Sequence, residues 1–86
     1  MMANIEIYTT STCPYCDRAK QLLQRYQAPY TEINISADTS KRDEMVKRSQ
    51  GRQTVPQIFI NNQHVGGCDD LYALHHKNAL KTLLGL

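Results

Sequence analysis

The chain has 86 residues, 41% hydrophobic and 21% charged, which suits one small domain spanning residues 1–86 and argues against disorder. A net charge of +2 is too small to imply nucleic acid or an anionic membrane surface as partner, and no apolar run approaches a membrane span. Three cysteines, an odd number, do not fit the even sets of a disulfide-stapled secreted domain.

Met1-Met2-Ala3-Asn4 lacks the basic start and apolar core of a signal peptide, so the chain is expected to stay in the cytoplasm. Residues 5–8 alternate like a strand, and a polar loop from Thr9 to Thr12 follows. Then comes Cys13-Pro14-Tyr15-Cys16, two thiols three residues apart. On the first turn of a helix, residues i and i+3 share a face, near the Cα separation that a disulfide requires. Pro14 suits the first helical position, where its missing N–H would be unpaired anyway.

The spacing of Ala19, Leu22, Leu23 and Tyr26 predicts a helix over residues 14–27, ended by Pro29. Residues 30–34 read as a second strand, which completes a βαβ unit. Ser40 is a candidate N-cap for a second helix, with Asp43 three residues on; Met45 and Val46 point inward and Gly51 stops it. Residues 57–60 are a third strand, Asn61-Asn62 a hairpin turn and residues 63–65 a short fourth strand. Gly66-Gly67 breaks the pattern. Asp69 is a candidate cap for a third helix carrying Leu71 and Leu74. His75 to Asn78 interrupts the apolar spacing, and Leu80, Leu83 and Leu84 form a separate last turn or two. The order β-α-β-α-β-β-α implies an α/β fold, a mixed four-stranded sheet with helices on both faces. A CxxC beside a βαβ unit is the thioredoxin-like redox signature.

The thiolate is the nucleophile in disulfide exchange. Cys13 falls at a helix start, where free N–H groups and the macrodipole favour negative charge, so its pKa is expected to fall. Cys16, one turn inside, is expected to be more buried and to remain a thiol. Cys13 then attacks, and Cys16 resolves the mixed disulfide. A zinc site is the competing reading of a CxxC. It would need Cys68 and a histidine to complete four ligands, and neither a second CxxC nor a matching histidine spacing is present. No resident metal is expected.

Cys13-Pro14-Tyr15-Cys16, Thr54-Val55-Pro56 and Gly66-Gly67-Cys68-Asp69-Asp70, in this order and at these separations, resemble the dithiol glutaredoxins. The likeness covers essentially the whole chain and is strongest to the short bacterial glutaredoxin 3 type. It implies a thioredoxin-like fold and glutathione as co-substrate, with no cofactor permanently bound. It implies reduction of protein disulfides and glutathione mixed disulfides, in the service of electron transport and cell redox homeostasis. Partners would be glutathione and disulfide-containing or glutathionylated proteins, ribonucleotide reductase among the candidates, with the chain acting as a monomer.

The resemblance also implies roles. The Val55-Pro56 bond would be cis, leaving the Val55 N–H and C=O to pair with a tripeptide beside the dithiol. Tyr15 and Thr54 would line the groove. Arg52 would reach the glycine carboxylate of glutathione. The backbone from Gly67 through Cys68, Asp69 and Asp70 would hold the γ-glutamyl carboxylate, and Asp69 or Asp70 would take the ammonium. The Cys68 side chain reads as a small buried group, and His64, His75 and His76 as surface or edge residues. Many members carry a lysine three residues before the first cysteine; this chain has Thr10, with Arg52 or Lys20 as partial substitutes. Gln50 reads as an extra loop residue. Two rivals complete the set. A thioredoxin reduced by a flavoenzyme would favour Trp where Thr12 stands. An iron–sulfur scaffold would favour Gly or Ser at Pro14.

Overall fold

Alternation along the first strand decides the layers. Successive strand side chains point to opposite faces, so Ile5 and Ile7 go to one side of the sheet and Tyr8 to the other. The computed structural model describes residues 3–86; Met1 and Met2, part of the stretch read as lacking a leader, lie outside the described residues. Its elements are β1 (Ile5–Thr9), α1 (Pro14–Arg25), β2 (Thr31–Asn34), α2 (Thr39–Arg48), β3 (Gln57–Ile60), β4 (Gln63–Gly66), α3 (Cys68–His76) and α4 (Leu80–Leu83). The sheet runs β2-β1-β3-β4, with β1 parallel to β2 and the β3–β4 hairpin antiparallel. This is the thioredoxin-like arrangement that the resemblance implies, with α4 added as the separate last turn.

Two cores follow from the alternation. Ile5, Ile7, Ile58 and Ile60 pack with Ala19, Leu22 and Leu23 of α1 and with Leu71 and Leu80. On the opposite face, Tyr8 and Phe59 pack with Ile35 and Met45 of α2. The register pairs Ile7 with Ile58 and Glu6 with Phe59, so a slip by one residue would turn both faces inside out.

Four expectations need correction. Thr9 belongs to β1 rather than to a loop, and it is buried because its hydroxyl donates to Glu32 Oε2 at 2.7 Å. The α1 helix closes at Arg25 with Tyr26 as C-cap; Gln27, at φ 55°, has left the helical region. The N-cap of α2 is Asp38, not Ser40. Asp38 Oδ1 accepts from the Lys41 N–H at 3.1 Å, and the Ser40 hydroxyl donates to the same oxygen at 2.6 Å. The N-cap of α3 is Gly67, not Asp69; the Asp70 carboxylate reaches back to the Gly67 N–H at 2.9 Å.

One charged side chain is built into the α2 face. Arg48 makes a two-pronged contact with Glu6, at 2.9 and 3.2 Å, and donates to the Tyr8 hydroxyl at 2.8 Å. Its guanidinium lies 4.0 Å from the centre of the Phe59 ring. The Tyr8 hydroxyl in turn donates to Glu44 at 2.5 Å. Removing Arg48 leaves the Glu6 carboxylate half-buried without its partner and uncovers an aromatic face. Arg48→Ala is therefore expected to destabilise the fold by about 2–4 kcal/mol in denaturant titration. A change under about 0.5 kcal/mol would mean the network is no more than a surface ion pair.

Candidate active site

The dithiol lies where β1 gives way to α1. Cys13 is the N-cap of α1, with extended backbone (φ −146°, ψ 98°), and Pro14 takes the first helical position. The Cys16 N–H donates to Cys13 Sγ at 3.0 Å, so a free helix-terminal donor is spent on the sulfur. The two residues are joined as a disulfide across a Cα separation of 5.2 Å. Their surroundings differ. Cys13 is half-exposed, whereas Cys16 is 1% exposed and packed inside the helix.

Opposite the dithiol stands the turn that enters β3. The Val55-Pro56 bond is cis, and the Val55 carbonyl oxygen lies 4.0 Å from Cys13 Sγ. Among the described residues no backbone group pairs with the Val55 N–H or C=O. The third wall is the start of α3. Gly66 has φ +121°, and a Cβ built there would stand 2.7 Å from the Asp70 carboxyl carbon. Glycine thus lets the Asp70 carboxylate fold back onto the Gly67 N–H.

These walls enclose an open groove of about 180 Å³. Tyr15, Arg52, Thr54, Val55, Pro56, Gly67, Cys68, Asp69 and Asp70 line it, so all nine residues singled out beside the dithiol meet in one place. Tyr15 is 56% exposed and forms an aromatic wall, with the Arg18 guanidinium 6.0 Å from its ring centre. Arg52 spans the far end, with Nη1 3.5 Å from Asp70 Oδ2. Cys68 is buried, and burial pushes its thiol pKa up, away from the reactive range.

One residue, His75, differs from expectation, and Lys20 and His64 have partners that the sequence did not suggest. Lys20, a candidate substitute for the lysine absent at Thr10, is already engaged in ion pairs. It is held by Glu32 at 3.1 Å and Asp17 at 3.6 Å, and the hydrogen bond to Glu32 chiefly raises its pKa. His75 is half-buried rather than on the surface, with Nδ1 2.6 Å from the Tyr26 hydroxyl. His64, on edge strand β4, is exposed, but its Nε2 is 2.7 Å from Gln57 Oε1. Burial, then the nearby Arg52, lowers the His64 pKa, while Asp70 pulls it the other way. Sequence reasoning missed Gln57 itself, a polar residue wholly buried in β3; its place directly after Pro56 is the only signal available. Among the described residues no three His, Cys, Asp or Glu side chains gather as a metal site, and no helix is long and apolar enough to cross a membrane.

The model of the glutaredoxin family matches residues 5–65. Glutaredoxin 3 of Escherichia coli K12 is 59% identical over 83 residues, 96% of this chain and 99% of the relative. The chain belongs to the glutaredoxin family. Among solved structures, a glutaredoxin from Brucella melitensis is 54% identical with a TM-score of 0.84, covering 96% of this chain and 89% of that one. A buckwheat glutaredoxin–glutathione complex, 27% identical, superposes with a TM-score of 0.88 over 96% of this chain and 77% of that one. This glutaredoxin is accordingly a glutathione-dependent thiol–disulfide oxidoreductase, and its Cys13–Cys16 pair fits a dithiol mechanism.

Proposed function

We propose that Cys13 is the attacking thiol, Cys16 the resolving thiol, and the groove beside them the glutathione site. The observation that carries this is the placement of Cys13 Sγ, half-exposed and 4.0 Å from the Val55 carbonyl, at the mouth of that groove. With a glutathionylated protein, the Cys13 thiolate attacks the glutathione sulfur. The Cys13–glutathione bond forms as the protein–glutathione bond breaks, and the protein leaves as a thiolate that takes up a proton. A second glutathione attacks the glutathionyl sulfur on Cys13, giving glutathione disulfide and returning the Cys13 thiolate. With a protein disulfide, Cys13 forms a mixed disulfide and Cys16 attacks the Cys13 sulfur, releasing the reduced protein. Two glutathiones then reduce the Cys13–Cys16 bond.

The groove offers a partner for each part of the tripeptide. The Val55 N–H and C=O, free of backbone partners among the described residues, can take its cysteinyl unit as a short added strand. The first-turn N–H groups of α3 suit the γ-glutamyl carboxylate. Arg52 suits the glycine carboxylate. For the ammonium, Asp70 is favoured over Asp69. Its Oδ2 is already fixed by the Gly67 N–H and Arg52, so Oδ1 waits in a set orientation and little freedom is lost on binding. In initial-rate assays on a small glutathione mixed disulfide, Asp70→Asn is expected to raise KM about tenfold and leave kcat within about twofold. Asp69→Asn should raise KM less. A larger effect at Asp69 would reverse the assignment, and a wild-type rate that does not saturate with this substrate would sink the glutathione-site reading.

Residues 1–86 are read as one glutaredoxin domain acting as a cytoplasmic monomer in redox homeostasis and electron transport. Protein disulfides, ribonucleotide reductase among them, and glutathionylated proteins are its proposed substrates.

A further inference from the structure

Val55 sits on a turn that no regular hydrogen-bond ladder holds, and its position sets where a tripeptide would lie. A chain of side-chain hydrogen bonds runs from that turn to the sheet edge. Gln57 Nε2 donates to the Thr54 carbonyl at 3.0 Å and to the Thr54 hydroxyl oxygen at 3.2 Å. A carbonyl can only accept, so the nitrogen of this amide must face Thr54 and its oxygen must face away. That oxygen, Oε1, is 2.7 Å from His64 Nε2. An amide oxygen can only accept as well, so Nε2 of His64 carries the proton, and any titration falls on Nδ1. Every polar atom of the fully buried Gln57 amide is thereby used. The His64 ring is steadied by Phe59, whose centre lies 5.1 Å away. The hairpin register places these two residues directly opposite each other.

We propose that His64 is a positioning residue for the glutathione groove, acting through Gln57 to fix the Thr54–Val55 backbone. His64 is not among the residues that line the groove, and its hydrogen bond to the Gln57 amide links it to the Thr54–Val55 turn. Without the His64 donor, the buried Gln57 oxygen loses its partner. The amide can then turn, and Thr54 loses the two bonds that hold its carbonyl and hydroxyl. The Val55 N–H and C=O are then no longer pre-set for an incoming peptide, which weakens binding while leaving the dithiol chemistry at Cys13 intact.

The inference rests on the reading of the Val55 edge as the glutathione-binding edge, and the test separates the two. KM and kcat for a small glutathione mixed disulfide are measured for wild type, His64→Leu, His64→Gln, Gln57→Leu and the Gln57→Leu/His64→Leu double variant, with thermal melting as the folding control. His64→Leu is expected to raise KM about fivefold, the loss of one hydrogen bond, with kcat within about twofold. His64→Gln, whose amide N–H can donate to Oε1, should restore KM. In the Gln57→Leu background, His64→Leu should add nothing. Unchanged KM in His64→Leu would overturn the proposal, as would failure of His64→Gln to restore it. An equal KM rise in the Gln57→Leu background would show a direct role for His64 and overturn it too. Should Gln57→Leu not fold, the His64→Leu and His64→Gln pair decides alone. A wild-type rate that does not saturate with the mixed disulfide would sink the binding-edge reading and this inference together.

Discussion

Cys13→Ser is expected to abolish both reactions, lowering kcat/KM by at least about 10³-fold on glutathione mixed disulfides and protein disulfides alike. The reason is chemical rather than structural. A serine hydroxyl can still cap α1 and accept from the Cys16 N–H, as Cys13 Sγ does at 3.0 Å. The fold should therefore survive, and thermal melting should show it. What is lost is a group that ionises near neutral pH and exchanges with sulfur. Neither remaining thiol can take over. Cys16 is 1% exposed inside α1, and Cys68 is buried with its thiol pKa raised by that burial. Assays of both substrates with the purified variant check this. Residual activity within tenfold of wild type would mean that another nucleophile does the work.

Cys16→Ser is expected to split the two reactions. On protein disulfides it should lose at least about 10²-fold, because no thiol remains to release the substrate from Cys13. On glutathione mixed disulfides it should stay within about twofold of wild type, since free glutathione in solution discharges Cys13. The geometry supports this division. Cys16 is too buried to meet a protein disulfide, yet its Cα is only 5.2 Å from that of Cys13, so the sulfur it can reach is the one on Cys13. Parallel assays on a disulfide-bonded protein and on a small mixed disulfide separate the cases. Equal loss on both substrates would make Cys16 part of the first attack. Full activity on both would leave it without a redox role.

Much of the fold could be read from residues whose signals agree. Ile5 and Ile7 alternate, the Ala19–Leu22–Leu23–Tyr26 stripe has helical spacing, and Asn61-Asn62 both take positive φ at the hairpin turn. The misread caps are positions where two polar residues compete. Ser40 and Asp38 both suit an N-cap, and the carboxylate takes the backbone N–H while the hydroxyl becomes its donor. At α3, glycine starts the helix with no side-chain cap, and Asp70, three residues on, accepts from the Gly67 N–H, the return half of a capping box. Buried polar side chains are harder to foresee. Thr9, Gln57 and Arg48 look like surface residues until Glu32, His64 and Glu6 come to meet them from other strands. Such partners are separated along the chain, and no local pattern announces them. The site was legible for a different reason. Its three motifs are backbone devices, a capped thiol, an X-Pro turn and a Gly-Gly helix entry, and each leaves a short signature in sequence. The ion pair between Lys20 on α1 and Glu32 on β2 leaves none.

Cys13 is proposed as the one thiol that carries glutathione. The direct measurement is to incubate the Cys16→Ser variant with glutathione disulfide and locate the adduct by peptide mass spectrometry. One glutathione per chain is expected, on Cys13, with Cys68 unmodified. An adduct on Cys68 with Cys13 free, or no adduct at all, would contradict it.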